Sequence, residues 1–157
     1  MSEMTQNTDD MATLVTVDSL VANEFEVELE GEILPGVFRV SGLVTFKLDG
    51  DDEHHASRTN SPIILSKMVQ RDGNTAFNKW LRETVSAKSG QPRPRRTLAV
   101  VAIDDGVETR RWTISGAWIQ QVRYSDFDSA SSAMVEEIVT IHFDGLQEQW
   151  PATPGLE

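Results

Sequence analysis

Three histidines could ligate a metal or carry a proton: His54 and His55, adjacent in the chain, and His142, far along it. Neighbouring side chains on an extended backbone point to opposite sides, so His54 and His55 cannot readily chelate one ion, and they read as part of a polar loop. Asp49, Asp51, Asp52 and Glu53 crowd the same stretch. A calcium loop needs ligands spread over about twelve residues and closed by a bidentate Glu, a spacing this run lacks, so it reads as solvated charge. Ser41 precedes Gly42 without the G-x-S-x-G frame of a nucleophile elbow, and the chain has no phosphate-cradling glycine loop or dinucleotide fingerprint. The expectation is no enzyme: no catalytic residue, no metal site and no cofactor.

The basic cluster Arg93-Pro94-Arg95-Arg96 is the one candidate for nucleic-acid contact. Beside two prolines it reads as a solvated linker or a set of salt-bridge partners. A formal net charge of −11 repels phosphate backbones and anionic lipid. Cysteine is absent, which removes disulfides and thiolate metal sites. The first ten residues are polar and acidic where a signal peptide would be basic and then apolar, and no apolar run reaches the length of a membrane span. The expectation is a chain made in the cytoplasm that does not itself bind membranes.

The elements follow from periodicity. Residues 1–22 lack a consistent period and read as a flexible arm, residues 23–150 as one domain and residues 151–157 as a tail. From Glu24 to Glu30 the alternation is strict, with Phe25, Val27 and Leu29 on one face and glutamates on the other, which predicts a half-buried strand. After the turn residues 31–36, Phe38, Val40, Val44, Phe46 and Leu48 share one parity, with a bend expected at Ser41-Gly42. Residues 49–61 form a polar loop or hairpin tip, and a strand follows from Ile63 to Val69.

Phe77, Trp80, Leu81 and Val85 recur at spacings of three and four and predict a helix over residues 74–87, capped within Asp72-Gly73-Asn74. Three more strands are expected at residues 97–103, 108–121 and 134–143, the first two joined by Asp105-Gly106. Trp112 and Trp118 share a parity with Ile114, which places both in the core with Trp80. Trp150 is the tryptophan expected at a subunit contact. Together these elements predict a mainly β fold, an antiparallel β-sandwich or barrel with one packed α-helix.

The ordered segments resemble the tail-tube family of T4-like phages, which includes the inner-tube proteins of extracellular contractile injection systems. The residues that carry the resemblance are Phe25-Glu26-Val27, Gly36 to Leu43, Pro62-Ile63-Ile64-Leu65, the helix with Phe77 and Trp80-Leu81, and Arg95-Arg96. Arg111-Trp112, Gly116-Ala117-Trp118, Val135 to Ile138 and His142-Phe143-Asp144-Gly145 complete the series, which covers about residues 23–146. Where the family often has a basic Lys-x-Pro-Gly-like stretch, this chain has Ser57-Arg58-Thr59-Asn60, which leaves open a main tube subunit or a specialised ring near baseplate or cap.

The resemblance implies a structural subunit that assembles into a hexameric ring and stacks into a tube. Its implied partners are further copies of itself, a sheath, baseplate and cap proteins, and DNA or protein cargo in the lumen. Its implied place is a phage tail, as a virion component, or an injection particle. The alternative is a monomeric β-sandwich binding module for a sugar or peptide. The carboxylate excess points to an acidic lumen, although the polar parity Arg39, Ser41, Thr45 and Lys47 is not acidic, which leaves Glu136 or the outer wall as the seat of that charge. From its length and polarity, and from the stacking role that the resemblance implies for this segment, the 49–61 stretch is expected to be an extended loop or hairpin that contacts an adjacent subunit. Deleting residues 51–58 should leave the monomer's circular dichroism and melting unchanged while tubes fail to elongate in electron micrographs.

Overall fold

In the computed structural model, residues 20–44, 48–49, 57–58 and 61–153 are described. The strands are β1 Phe25–Leu29, β2 Glu32–Ile33, β3 Val37–Ser41, β4 Leu48–Asp49, β5 Ser57–Arg58, β6 Ile63–Met68, β7 Arg96–Asp104, β8 Val107–Tyr124, β9 Glu136–His142 and β10 Gly145–Gln149. The helix α1 spans Ala76–Ser86 between β6 and β7. Two hairpins are set by local chemistry. β1–β2 turns through Glu30 at φ 52 and Gly31 at φ 83, and β7–β8 through Asp105 at φ 50 and Gly106 at φ 77. Positive φ at both central residues gives the turn whose twist matches paired strands. β4 pairs β5 through Leu48 opposite Arg58 and Asp49 opposite Ser57, the described part of the 49–61 hairpin. The predicted arm lies outside the described residues up to residue 19.

All pairings are antiparallel, in the order β2-β1-β7-β8-β9-β6-β3 with β10 also on β8. β8 is long enough to serve two layers. Its first part pairs β7 and β10, and residues from Trp118 onward pair β9. The first layer is thus β2-β1-β7-β8-β10 and the second β8-β9-β6-β3. Their inward residues meet in one core, with Val27, Leu29, Leu98, Val100 and Ile114 from one layer against Ile63, Leu65, Ile119, Val139 and Ile141 from the other.

The corner between layers lies at Gly116, whose φ of +64 disfavours any side chain and whose added Cβ would collide with the Asp144 carboxylate. Arg95 closes the corner by donating to Gly116 O at 2.9 Å and to Asp144 at 3.2 Å. This break in the pleat reverses the parity of β8 as far as Ile119, and a register shift between Ile119 and Gln121 restores it, so that Val122 packs on the core. Trp112 stays with the core, but Trp118, expected inside, stands on the other face and stacks on His142 with ring centroids 4.9 Å apart. A bulge between Val37 and Arg39 similarly puts Val37 and Val40 against the core and turns Phe38 outward. β3 ends at Ser41, and Gly42 follows at φ 79.

The helix covers the core with Phe77, Trp80 and Thr84 buried and Leu81 partly so. Its N-cap is Thr75, whose Oγ1 accepts from Asn78 N, and not one of the three residues before it. Val85, expected in the apolar stripe, is 77% exposed. Thr84 replaces it because its hydroxyl donates to Trp80 O at 2.8 Å and so needs no water. Trp80 has no exposed surface, and its indole N–H donates to Pro94 O, which ties the helix to the segment before β7.

Beneath the helix lies a buried ion pair. Lys67 Nζ is 2.8 Å from Glu137 Oε1, with the two side chains 0% and 2% exposed. The ammonium also donates to Met68 O and sits 4.5 Å from the centre of the Phe77 ring. Tyr124, Glu137 and Lys67 stand opposite one another on β8, β9 and β6. Burial raises the Tyr124 phenol pKa, and the Glu137 charge and a hydrogen bond to it push the same way.

Two outcomes test this packing. Trp80→Ala should lower stability by about 3–5 kcal/mol in chemical denaturation, because it empties a buried site and frees Pro94 O. Lys67→Met alone should cost about 3–5 kcal/mol by stranding Glu137, whereas Lys67→Met with Glu137→Leu should recover most of that loss.

Candidate assembly surfaces

Each layer has one face on the core and one turned away from it, and these outward faces differ in charge. On the first layer, Glu26 stands opposite Val101, which is opposite Arg111, and Glu28 stands opposite Ala99, which is opposite Thr113. Arg111 reaches across β7 to Glu28, Nη1 to Oε1 at 2.7 Å, and also binds Glu108. Ala99 and Val101 are buried although they face outward, because this guanidinium–carboxylate bridge lies over them. The hydrogen bond from Arg111, opposed by partial burial and aided by its charge, holds the Glu28 carboxyl below its usual pKa, and both glutamates raise that of Arg111. This outer wall therefore carries a carboxylate excess.

The second layer presents two polar rows. Arg123, Ile138, Ser66 and Arg39 stand in register across β8, β9, β6 and β3, and Gln121, Thr140, Ile64 and Ser41 form the adjacent row. Trp118 and His142 follow on one side, His142 Nε2 lying 2.8 Å from Gln120 Oε1, and Met68 and Glu136 lie on the other. Arg39 and Ser41 match the polar parity read from the sequence. Thr45, Lys47, His54, His55 and the Asp51 to Glu53 run lie outside the described residues.

The edges carry as much information as the faces. β3 ends the strand order, and β8 beyond Ile119 pairs β9 on one side only, so among the described residues both ends of the second layer are open. Open edges recruit further strands. The mouth between the layers is mainly apolar, lined by Leu20, Val21, Phe25, Phe38, Leu43 and Trp112 together with Glu24 and Arg39. Near the C-terminal end Trp150 is 40% exposed, with the Arg110 guanidinium 5.6 Å from its ring centre, beside a hollow formed with Glu108, Arg111 and Gln149. The basic cluster is partly spent in ion pairs, Arg95 with Asp144 and Arg96 with Glu83, as its salt-bridge reading anticipated. No group of His, Asp and Glu that could hold a metal occurs among the described residues. No described helix is long and apolar enough to cross a membrane.

Solved structures share this architecture. A chain of the sheath–tube complex of PVC, an extracellular contractile injection system, in the extended state superimposes with a TM-score of 0.69 at 19% identity, covering 88% of this chain and 97% of that one. A chain of the cap of the anti-feeding prophage, a tube-terminating cap, gives 0.69 at 20% identity, with 84% and 91% covered. Hcp1 from Flavobacterium johnsoniae gives 0.53 at 15% identity, with 81% and 95% covered. No curated protein sequence matches the chain. The family model of the T4-like virus tail tube protein gp19 matches residues 21–147, the whole of both layers up to the middle of β10, and the chain belongs to that family.

Proposed function

We propose that this chain is a structural inner-tube subunit of a contractile phage tail or phage-tail-like injection system, acting without catalysis as part of stacked hexameric rings. Residues 23–150 form the tube domain, with residues 1–22 and 151–157 as its arm and tail. The observation that carries the reading is the pair of open edges on the second layer. That layer has four strands in strict antiparallel alternation, so β3 runs opposite to the C-terminal part of β8. When copies join β3 to β8 head to tail, the seam is antiparallel like every other pairing, and closing the ring leaves no exposed edge. The first layer has five strands, so β2 and β10 run the same way and the same operation would make a parallel seam. The second layer therefore forms the barrel wall, with its polar rows facing the bore, and the first layer faces outward.

The relatives with this fold come from tube, cap, sheath-bearing and baseplate assemblies. A sheath around the carboxylate-rich outer wall, and a baseplate and a cap at the tube ends, are the partners that follow. The chain is assembled in the cytoplasm and then becomes part of the particle.

The absence of cysteine makes a direct test available. Purified protein should form rings or tubes in negative stain. In those tubes, Thr140→Cys should react with a small maleimide but resist one carrying a bulky polymer, whereas Gln147→Cys on the outer wall should accept both. Small monomeric particles, or the reverse labelling pattern, would overturn the reading.

A further inference from the structure

If the second layer lines the bore, its two arginines occupy the two strands that meet at each seam. Arg39 is on β3 and Arg123 on β8, and within one subunit they end the same four-residue row through Ser66 and Ile138. Both are exposed, and neither forms an ion pair with a described residue. Ring closure sets Arg123 of one copy on the strand beside Arg39 of the next. Like charges on adjacent strands repel, so two guanidiniums brought together at a seam favour an anion between them. Among the described residues, the strands of this face supply one carboxylate, Glu136, against them.

We propose that each seam of the ring presents an Arg39–Arg123 pair to the bore, and that this makes the passage selective for an acidic polypeptide as its passenger. This rests on the ring reading above. Guanidiniums bind carboxylates through paired hydrogen bonds, and the enclosed bore screens them less than open water does. The neighbours of the pair favour a polypeptide over nucleic acid. Ile138 lies in the same row, and Ile64, 38% exposed, lies in the next one and offers apolar contact. Glu136, one row away, opposes a backbone with a charge at every residue. The acidic lumen expected from composition is thereby replaced by a mildly cationic one, with the carboxylates on the opposite layer.

The test uses assembled tubes, checked by electron microscopy and collected by sedimentation before any probe is added. A failure of the ring reading would therefore appear first, as the lack of sedimenting tubes. Fluorescein-labelled oligoglutamate, oligolysine and single-stranded oligothymidylate are then compared for retention. Wild-type tubes should retain oligoglutamate at low ionic strength and release it as salt is raised. Tubes of the Arg39→Gln, Arg123→Gln double variant should retain it on the order of tenfold less, and an Arg39→Lys, Arg123→Lys variant should keep part of the retention. Equal retention by wild-type and glutamine-variant tubes would overturn the proposal, as would a preference for oligolysine or for oligothymidylate. Failure of the glutamine variant to form tubes would overturn it too, because the guanidiniums would then be pinning the seam and not facing the bore.

Discussion

The Lys67–Glu137 pair is the contact on which the rest of the architecture depends. Taking two charges out of water costs several kcal/mol per ion, recovered only when the geometry is good and the remaining polar atoms are bonded. Here the ammonium meets a carboxylate, a carbonyl and an aromatic face, and the carboxylate also meets Tyr124. A slip of β6 against β9 by two residues would keep each strand's faces but draw Lys67 away from Glu137 and leave both charges buried without a partner. An all-apolar interface would tolerate that slip far better. The pair thus fixes the register of three strands, and through Phe77 it fixes where the helix sits. The outward rows inherit this register, since a residue's neighbours across the outward face of the second layer are set by the pairs on the core face.

A second constraint is the turn from one layer to the other inside a single strand. β8 could have ended at Ser115 and been followed by a loop. Instead the chain spends one glycine, Gly116, and one ion pair, Arg95 with Asp144, to change direction without losing its hydrogen-bond ladder. The benefit is mechanical. The two layers share a covalent strand, so a load on one reaches the other through backbone and not only through side-chain packing.

Most of the element order was legible in the sequence because local chemistry decided it. The alternation around Val27 and Leu29, the Asp105-Gly106 turn and the Phe77–Trp80 spacing each report on a few consecutive residues. What escaped was non-local. The reversal at Gly116 depends on Asp144 and moved Trp118 out of the expected core. The bulge at Phe38 is defined by its partner β6, and β10 is a strand of Gly, Leu, Gln and Glu that pairs only because β8 is exposed to it. Lys67 and Glu137 are separated by 70 positions, and each alone looks like a surface residue. Thr84 in place of Val85 is a smaller instance, since its hydroxyl is satisfied by the helix itself.

The same distinction governs charge. A net charge of −11 describes the chain, whereas any partner meets only one face of it. Glu26, Glu28 and Glu108 are directed outward by the parity of β1 and the reach of Arg111, while Arg39 and Arg123 are directed to the other side by the parity of β3 and by the two successive reversals in β8. The break at Gly116 alone would turn Arg123 toward the core, and the second register shift, between Ile119 and Gln121, returns it to the outward face. The charge of each face therefore follows from two irregularities in β8 and one buried pair, features that composition does not register.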